Sequence, residues 1–284
     1  MTSSMKGKIC LVTGATHGIG RETALALAEL GATVVLVSRS PEETAAVALM
    51  IQAKTSSRNI DYLIADLASF KQIYRLVDEF RRRYGHLHAL VNNAGGVFFR
   101  RQLSPDNLEM TLALNHLSPF LLTNLLLDTL KSSAPSRIIT VSSLAHALGR
   151  IHFEDLQFTR HYDGWAAYAQ SKLANVLFTN ELARRLAGSL VTANAVHPGY
   201  VATNFGMNNG WFYRLIFNLG RVVAMSPRQA SETIVYLASS SEVEGVSGKY
   251  FVNKKARRSS EISYDAGIGG HLWQVSQVMT GLGR

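Results

Sequence analysis

Short apolar runs alternate with helical stretches along almost the whole chain. The apolar runs are rich in Val and Ile and apolar on both faces, which is typical of strands buried inside a parallel sheet. Seven strands are predicted from these runs: Ile9–Thr13, Thr33–Ser38, Asp61–Ala65, Ala89–Asn92, Arg137–Ser142, Val191–Val196 and Lys249–Val252. Six helices are predicted between them: Gly20–Leu30, Glu42–Lys54, Lys71–Tyr84, Leu108–Lys131, Ala166–Leu186 and Arg228–Ala238. The alternation predicts an α/β fold, a doubly wound parallel sheet with helices on both faces, in a single domain over residues 1–284.

The composition fits one globular domain and indicates the cellular compartment of the protein. The chain has 284 residues, of which 47% are hydrophobic and 17% are charged. Its single cysteine, Cys10, excludes an internal disulfide, as is common in reducing compartments. Residues 1–8 lack the apolar region of a signal peptide, and no apolar run is long enough for a membrane-spanning helix. We therefore predict a cytoplasmic protein without a membrane span.

The formal net charge of +9 raises the question of an anionic partner. The basic residues are scattered in short groups: Arg81–Arg83, Arg100–Arg101, Arg184–Arg185 and Lys254–Arg258. Such groups are typical of solvated helix ends and loops, so no nucleic-acid partner is predicted. An anionic ligand, or peripheral contact with an anionic membrane, also suits this charge.

The first predicted strand runs into the sequence TGATHGIG, residues 13–20. Gly14 allows a tight turn, and Gly18 lets the backbone approach a diphosphate closely. Gly20 lets the following helix pack against the sheet, so that the free N–H groups at its start face the phosphates. The spacing is wider than G-x-G-x-x-G, which fits a longer turn with the same physics. The loop favours a dinucleotide site, with an ordinary strand–helix turn as the alternative.

The second predicted strand ends without an acidic residue before Glu42. NAD sites usually place Asp or Glu here, to accept a hydrogen bond from the ribose 2′-hydroxyl. Arg39 stands at this point instead, and a guanidinium suits a 2′-phosphate. His17 adds a second donor. The pair predicts NADP rather than NAD, unless Arg39 only covers the end of its strand.

Three further features suit a nicotinamide enzyme. Small residues and side-chain amides follow the fourth strand over residues 92–96. They suit a wall against the flat ring of a ligand, with an ordinary turn as the alternative. Ser143 follows the fifth strand, at the edge where α/β sheets bind ligands. Tyr168 and Lys172 are four residues apart and share one helix face. A nearby ammonium lowers the pKa of a phenol, as a general acid needs, although the same spacing also occurs as surface decoration.

These features occur together in an order that resembles the short-chain dehydrogenase/reductase family over nearly the whole chain. Three segments, VSSLAHALGRIHFEDLQ, YAQSKLANVLFTNELARRL and VHPGYVATN, resemble its retinol dehydrogenase branch, including the insertion at residues 144–167. The resemblance implies a Rossmann-type fold and an NADP-dependent oxidoreductase of a carbonyl or alcohol. Four catalytic residues are implied: Asn115, Ser143, Tyr168 and Lys172. The cofactor contacts predicted are Gly14, Thr16, His17, Gly18, Ile19, Gly20, Arg39, Asp66, Leu67, Asn92, Ala94, Gly95, Tyr168, Lys172, Pro198, Gly199, Val201 and Thr203.

The family resemblance also implies a role for each catalytic group. Ser143 hydrogen-bonds the substrate carbonyl, Tyr168 gives it a proton, and Lys172 binds the nicotinamide ribose and lowers the tyrosine pKa. Asn115 has a separate argument, because Pro119 lacks an N–H and removes the normal partner of the Asn115 carbonyl. A freed carbonyl can bind water, and the resemblance implies that this water relays protons. The alternative is a proline kink with no chemical role.

The substrate prediction depends on the segment GWFYRLIFNLG, residues 210–220. Five apolar side chains recur there at helical spacing: Trp211, Phe212, Leu215, Ile216 and Leu219. The stripe packs onto the body of the protein, or it lines a substrate cover over residues 204–226 with Phe98 and Phe99 opposite. The second alternative predicts a lipophilic substrate, either retinoid-like or a fatty aldehyde.

The remaining predictions concern alternatives and partners. No paired metal spacing occurs, so no metal is predicted, and His146 and His152 are interpreted as ordinary histidines of the insertion. A homo-oligomer is possible through the long helices, and residues 253–284 are the C-terminal segment of the single domain. A non-catalytic NADP-binding sensor or scaffold is the alternative function. The complete set of catalytic residue types favours the enzyme.

Overall fold

The computed structural model describes residues 3–199 and 225–283. Eight strands of this part form one sheet: β1 Ile9–Thr13, β2 Thr33–Ser38, β3 Ile60–Ile64, β4 Ala89–Asn92, β5 Ser136–Val141, β6 Val191–His197, β7 Tyr250–Val252 and β8 Lys255–Arg257. Their order across the sheet is β3-β2-β1-β4-β5-β6-β7-β8. Neighbours from β3 to β7 are parallel, and β8 runs antiparallel to β7.

The helices of the described residues are α1 Gly18–Glu29, α2 Pro41–Thr55, α3 Phe70–Arg83, α4 Met110–Leu112, α5 Ser118–Leu125, α6 Leu127–Ser132, α7 Gly164–Arg185, α8 Pro227–Ser239 and α9 Ala266–Thr280. A π-helical turn, Ala113–Leu117, joins α4 to α5. Short 3-10 helices occupy Leu144–Leu148, Phe153–Asp155, Ser241–Val243 and Glu261–Tyr264. No helix of the described residues has the length and apolar character to span a bilayer.

Helices cover both faces of the sheet, as the Rossmann-type prediction requires. Successive side chains of a strand point to opposite faces. In β1, Leu11 therefore packs into a core with α3, α5 and α7, whereas Cys10 and Val12 pack into a second core with α1 and α8. The two cores explain why the strands read as apolar runs without alternation. The α/β prediction is confirmed.

The seven predicted strands are all present, with ends that differ by one residue in places. The predicted helix over residues 108–131 is wrong as a single element. Pro119 cannot donate to the residue 115 carbonyl, and the chain widens into the π-helical turn, in which Ser118 N–H bonds the Ala113 carbonyl. The turn places Asn115 in the middle of the break.

Besides the short 3-10 helices and the π-helical turn, one strand and one α-helix were not predicted from the sequence. Strand β8 has the sequence KAR and is fully exposed at the sheet edge, so it carries no apolar signal. Helix α9 contains Gly267, Gly269 and Gly270, which weaken the helical pattern because glycine is a poor helix former. Its capping residue, Asp265, accepts a hydrogen bond from the Ile268 N–H and fixes its start.

Candidate active site

The glycine loop joins β1 to α1 at the carboxyl edge of the sheet. Gly14 and Gly18 have φ values of +65° and +52°, in the left-handed region that favours glycine. A Cβ at Gly20 would collide with the Gly14 carbonyl oxygen and lie 2.5 Å from Asn93 Nδ2. The turn is therefore close-packed on the side that faces the sheet.

The N-terminus of α1 has the features of an anion site. His17 is its capping residue, but its side chain does not cap the helix, and the first turn contains no acidic residue. The N–H groups of this turn thus keep their capacity to bind an anion. His17 Nδ1 is hydrogen-bonded to Thr16 Oγ1 at 3.0 Å and lies 3.9 Å from a Glu43 carboxylate oxygen. The loop fits a diphosphate, and Ile19 lies within the same first turn.

A hydrogen-bond network ties the glycine loop to the loop after β4. The Thr13 hydroxyl accepts from the backbone N–H groups of Asn93 and Ala94, at 2.9 and 3.0 Å, and donates to the Val91 carbonyl. The Asn93 amide donates to the carbonyls of Thr13 and Gly14, at 2.8 and 3.3 Å. Thr13 and Asn93 were not among the predicted site residues, although both lie inside the predicted loops.

The two adjacent asparagines have different surroundings. Asn92 was the predicted cofactor contact, but its side chain is buried and its Nδ2 donates to Thr123 Oγ1 at 2.9 Å. The identical side chains of Asn92 and Asn93 gave the sequence no means to separate them. A cofactor contact at Asn92 would have to use its backbone.

The ends of β2 and β3 carry the predicted adenosine-side residues. Arg39 is exposed directly after β2, and among the described residues it has no hydrogen-bond or ion-pair partner. Asp66 follows β3, and its carboxylate accepts from the Ala68 N–H at 2.9 Å. Leu67 is buried in the core, so only its backbone is available to a ligand. Arg39 therefore offers a hydrated cation beside the glycine loop.

Ser143, Tyr168 and Lys172 come together where β5 meets α7. The capping carboxylate of Asp163 fixes the start of α7, and the Ser142 hydroxyl binds the Lys172 carbonyl at 2.8 Å. A side-chain hydrogen bond joins Ser143 to Tyr168. The Lys172 ammonium lies 5.6 Å from the centroid of the Tyr168 ring. Tyr168 and Lys172 are only 7% and 4% exposed, so this is not surface decoration.

Burial is the main cause of the pKa shifts of Tyr168 and Lys172. It raises the pKa of Tyr168 to about 12, while the hydrogen bond from Ser143 lowers it. Burial also lowers the pKa of Lys172 to about 8. The sequence predicted that Lys172 lowers the pKa of Tyr168, and the structure gives a raised pKa instead. The Lys172 Nζ donates a hydrogen bond to the Val141 carbonyl at 3.2 Å rather than to the phenol.

Asn115 is bound through its side chain to the loop after β4. Its Oδ1 accepts from the Gly96 N–H at 2.8 Å, and its Nδ2 donates to the Gly96 carbonyl and to Ser171 Oγ, both at 2.9 Å. Ser171 Oγ in turn donates to the Tyr168 carbonyl at 2.7 Å. A Cβ on Gly95 would lie 2.9 Å from Asn115 Oδ1 and 3.5 Å from Lys172 Nζ. The predicted residues Asn115, Gly95 and Lys172 thus share one site.

The remaining predicted contacts follow β6. Pro198 and Gly199 lie at its carboxyl end, and Gly199 has a φ of +98°. Val201, Thr203 and the stripe over residues 211–219 lie outside the described residues. Within the described ranges, no group of three His, Cys, Asp or Glu side chains could hold a metal ion.

An exposed aromatic side chain lies beside Tyr168. Trp165, one turn before it on α7, is 53% exposed, and its ring lies 6.1 Å from the Tyr168 ring and 5.3 Å from the Phe99 ring. Leu148, in the insertion, is 85% exposed. Phe98 is buried and belongs to the wall behind Gly96 rather than to this surface. Trp165 had no assigned role in the sequence.

Comparison with known proteins shows the family to which this chain belongs. The short chain dehydrogenase family model matches residues 8–211. Human retinol dehydrogenase 13 is 42% identical over 287 residues, which cover 99% of this chain and 86% of that protein.

Two solved structures show the same fold. An uncharacterised protein from Mycobacterium paratuberculosis has a TM-score of 0.80 and 32% identity, covering 99% of this chain and 96% of that one. The Pseudomonas aeruginosa RhlG/NADP active-site complex has a TM-score of 0.70 and 26% identity, covering 87% and 95%. The sensor or scaffold alternative is not favoured by these relatives. The chain belongs to the short-chain dehydrogenase/reductase family, resembles its retinol dehydrogenase branch and is an NAD(P)-dependent oxidoreductase of a CH–OH group or carbonyl.

Proposed function

We propose that the enzyme uses NADP(H) and acts on a lipophilic carbonyl compound or the matching alcohol, with Ser143, Tyr168, Lys172 and Asn115 as its catalytic machinery. The observation that carries the proposal is the buried Ser143–Tyr168 hydrogen bond beside the Lys172 ammonium. This group lies at the same sheet edge as the glycine loop, since β1, β4 and β5 are parallel neighbours. A cofactor bound along that edge and a substrate over Tyr168 would meet there.

The reaction needs one hydride and one proton. The nicotinamide, when bound, supplies the hydride to the carbonyl carbon, or accepts it from the alcohol carbon. The Tyr168 hydroxyl gives its proton to the carbonyl oxygen, which becomes the alcohol oxygen, and takes a proton back in the reverse direction. Ser143 Oγ orients that oxygen by a hydrogen bond. The high pKa of Tyr168 keeps the phenol protonated at neutral pH, as carbonyl reduction requires.

Lys172 and Asn115 support this proton transfer. The Lys172 ammonium stabilises the negative charge that develops on the Tyr168 oxygen as its proton leaves. Asn115 holds the Gly96 backbone on one side and, through Ser171, the helix turn of Tyr168 on the other. It therefore sets the spacing between the loop after β4 and the general acid.

The choice of NADP(H) is supported by the charge at the end of β2. The Arg39 guanidinium is exposed there without a partner among the described residues, whereas an NAD site would carry an acid. The P. aeruginosa relative binds NADP, as its name states. Comparing kcat/KM for NADPH and NADH tests this choice, and equal values would contradict it.

The lipophilic substrate is supported by an exposed aromatic side chain beside the general acid. Trp165 presents a large apolar surface next to Tyr168, and the Phe99 ring lies against it. Leu148 is a further exposed apolar side chain in the insertion. Burying such surface against a substrate chain contributes about 0.8 kcal/mol per CH₂. The related human protein is named for retinol, a lipophilic alcohol.

The experiment follows NADPH oxidation with a homologous series of aliphatic aldehydes and with retinal. We expect kcat/KM to rise with chain length and Trp165→Ala to flatten the series. A flat series in the native enzyme, with no activity on retinal, would contradict the lipophilic substrate. NADPH binding without turnover of any carbonyl would instead support the sensor alternative.

Location and assembly stay predictions from the sequence. A cytoplasmic location, peripheral contact with anionic membranes and a homo-oligomer each have a simple test. Cell fractionation, co-sedimentation with anionic vesicles and light scattering would decide them in turn.

A further inference from the structure

A buried histidine connects the catalytic serine to the C-terminal segment, residues 253–284. His146 lies in the 3-10 helix Leu144–Leu148, three residues after Ser143, and is only 3% exposed. Its Nδ1 donates to the Ser143 carbonyl at 2.7 Å. Its Nε2 accepts from the backbone N–H of Ser260 at 3.0 Å. The sequence predicted an ordinary histidine of the insertion and did not predict these two hydrogen bonds.

The two partners fix the state of the imidazole. The Ser143 carbonyl can only accept a hydrogen bond, and the Ser260 N–H can only donate one. The ring is therefore neutral, with its proton on Nδ1. Burial also lowers the pKa of His146, and the neighbouring titratable groups, His197 and Tyr250, are buried on the strands against it. The Tyr250 ring centroid lies 4.7 Å from that of His146.

At Ser143, His146 closes a turn that positions both the carbonyl and the hydroxyl of this serine. The Ser143 carbonyl accepts from the His146 N–H at 3.1 Å as well as from the ring. The Ser143 hydroxyl accepts from the Ala145 N–H at 3.2 Å. The same hydroxyl bonds Tyr168. Loss of the imidazole donor would loosen the turn that aims this hydroxyl.

On the other side, Ser260 is anchored to the helix of the general acid. The Ser263 hydroxyl donates to the Ser260 carbonyl at 2.6 Å. The Asn180 amide, on α7, donates to the Ser263 carbonyl at 2.7 Å. The imidazole therefore completes a connection from Ser143, which follows β5, through the C-terminal segment, to the helix that carries Tyr168 and Lys172.

We propose that His146 is a positioning residue for this oxidoreductase, holding Ser143 against Tyr168 and making the C-terminal segment a structural support of the active site. The proposal rests on the assigned role of Ser143 in the proposed function. Under this proposal residues 258–264 contribute to turnover by supporting the position of Ser143, although they lie more than 110 positions after it in the sequence.

Two substitutions separate the two hydrogen bonds. In His146→Asn the amide nitrogen can replace Nδ1 and keep the donor to Ser143, but the acceptor for Ser260 is lost. In His146→Gln the amide oxygen reaches the place of Nε2 and keeps that acceptor, while the donor to Ser143 is lost. His152→Asn is the matched control, because that histidine is exposed in the same insertion.

Steady-state kinetics and hydrogen exchange are measured on the full chain. We expect kcat to fall by roughly 10- to 100-fold in His146→Gln, as small misplacements of reacting groups do, with the KM for NADPH little changed. His146→Asn should retain more kcat than His146→Gln but exchange faster at residues 258–264. His152→Asn should resemble the native enzyme in both measurements. Native kcat in His146→Gln, or slower turnover in His146→Asn than in His146→Gln, would overturn the proposal.

Ser143→Ala, measured in parallel, separates this inference from the proposed function. If it loses turnover while the His146 variants keep theirs, the positioning role alone fails. If Ser143→Ala turns over normally, the catalytic assignment fails, and the positioning role with it. The imidazole ¹⁵N shifts of the native protein give a test without substitutions. A proton on Nε2 of His146 would overturn the proposal, and a proton on Nδ1 supports it.

Discussion

The proposed phosphate-binding half and the proposed catalytic half of the site are built in different ways. The first, residues 13–20 with Arg39, presents backbone N–H groups and exposed cationic or polar side chains. The second, Ser143 with Tyr168 and Lys172, uses titratable side chains that burial has shifted from their ordinary pKa values. Recognition of an anion works with hydrated groups and glycine geometry, whereas proton transfer uses groups that burial destabilises in their charged form. We therefore expect substitutions in the two halves to affect different quantities.

The largest expected effect is in the catalytic half. Tyr168→Phe deletes only the transferable proton and the hydrogen bond to Ser143, so kcat should fall on the order of 10²-fold or more. Stopped-flow and steady-state assays with NADPH and a medium-chain aldehyde measure it. Turnover within a few-fold of the native enzyme would remove Tyr168 from the role of general acid.

The next prediction concerns the stability cost of the buried amine. Below pH 8 Lys172 is protonated in both the folded and unfolded protein, so the cost of burying its charge is fully present. Between pH 8 and the ordinary pKa of 10.5 the folded protein loses this proton first, and the cost disappears. Lys172→Met should therefore raise the free energy of unfolding at pH 7 by on the order of 3 kcal/mol, although turnover is lost.

Urea unfolding at pH 7 and pH 10 checks this sign. The gain from Lys172→Met should shrink at pH 10. The exposed Lys255→Met is the control and should change stability little at either pH. An equal effect of Lys172→Met at both pH values, or a loss of stability at pH 7, would show that the buried amine is not the cause.

A smaller effect is expected from the geometry of the phosphate half. Gly20→Ala places a methyl group against the Gly14 carbonyl and the Asn93 amide, and should cost about 1–3 kcal/mol in stability and weaken NADPH binding. Gly270→Ala is the matched helical control, because a Cβ there meets nothing within 4 Å. It should stabilise α9 by roughly 0.5–1 kcal/mol. Thermal unfolding measures the stability of both variants. Native stability in Gly20→Ala would refute the close packing at Gly20.

The smallest expected effect is at the exposed cation. Arg39→Asp should reduce the ratio of kcat/KM for NADPH over NADH by roughly tenfold, because a carboxylate repels a 2′-phosphate but solvent and salt screen the charge. The ratio should fall less at high ionic strength. An unchanged ratio would leave Arg39 as a residue that only covers the end of β2.

The comparison also shows what the sequence could predict. Glycine spacing, strand runs and the interval between Tyr168 and Lys172 are local patterns. The strand runs form the sheet, and the glycine loop lies at its carboxyl edge with Tyr168 and Lys172. The different environments of Asn92 and Asn93 depend on the partners Thr123 and Thr13, which lie far away in the chain. Local residue type cannot specify such contacts.

The π-helical turn and the protonation states are harder still to predict. Pro119 indicated a break in the predicted helix, but the form of the break depends on packing around Asn115. Burial raises the pKa of Tyr168, which is opposite to the lowering expected from Lys172. Burial is a property of the whole fold, so residue spacing alone gave the wrong sign.

NADPH binding by calorimetry to the native enzyme, Tyr168→Phe and Arg39→Asp tests the separation of the two halves most directly. The account predicts that Tyr168→Phe binds NADPH with nearly native affinity and does not turn over. It also predicts that Arg39→Asp binds NADPH more weakly yet retains turnover at saturating cofactor. Weakened binding in Tyr168→Phe together with native binding in Arg39→Asp would contradict the account.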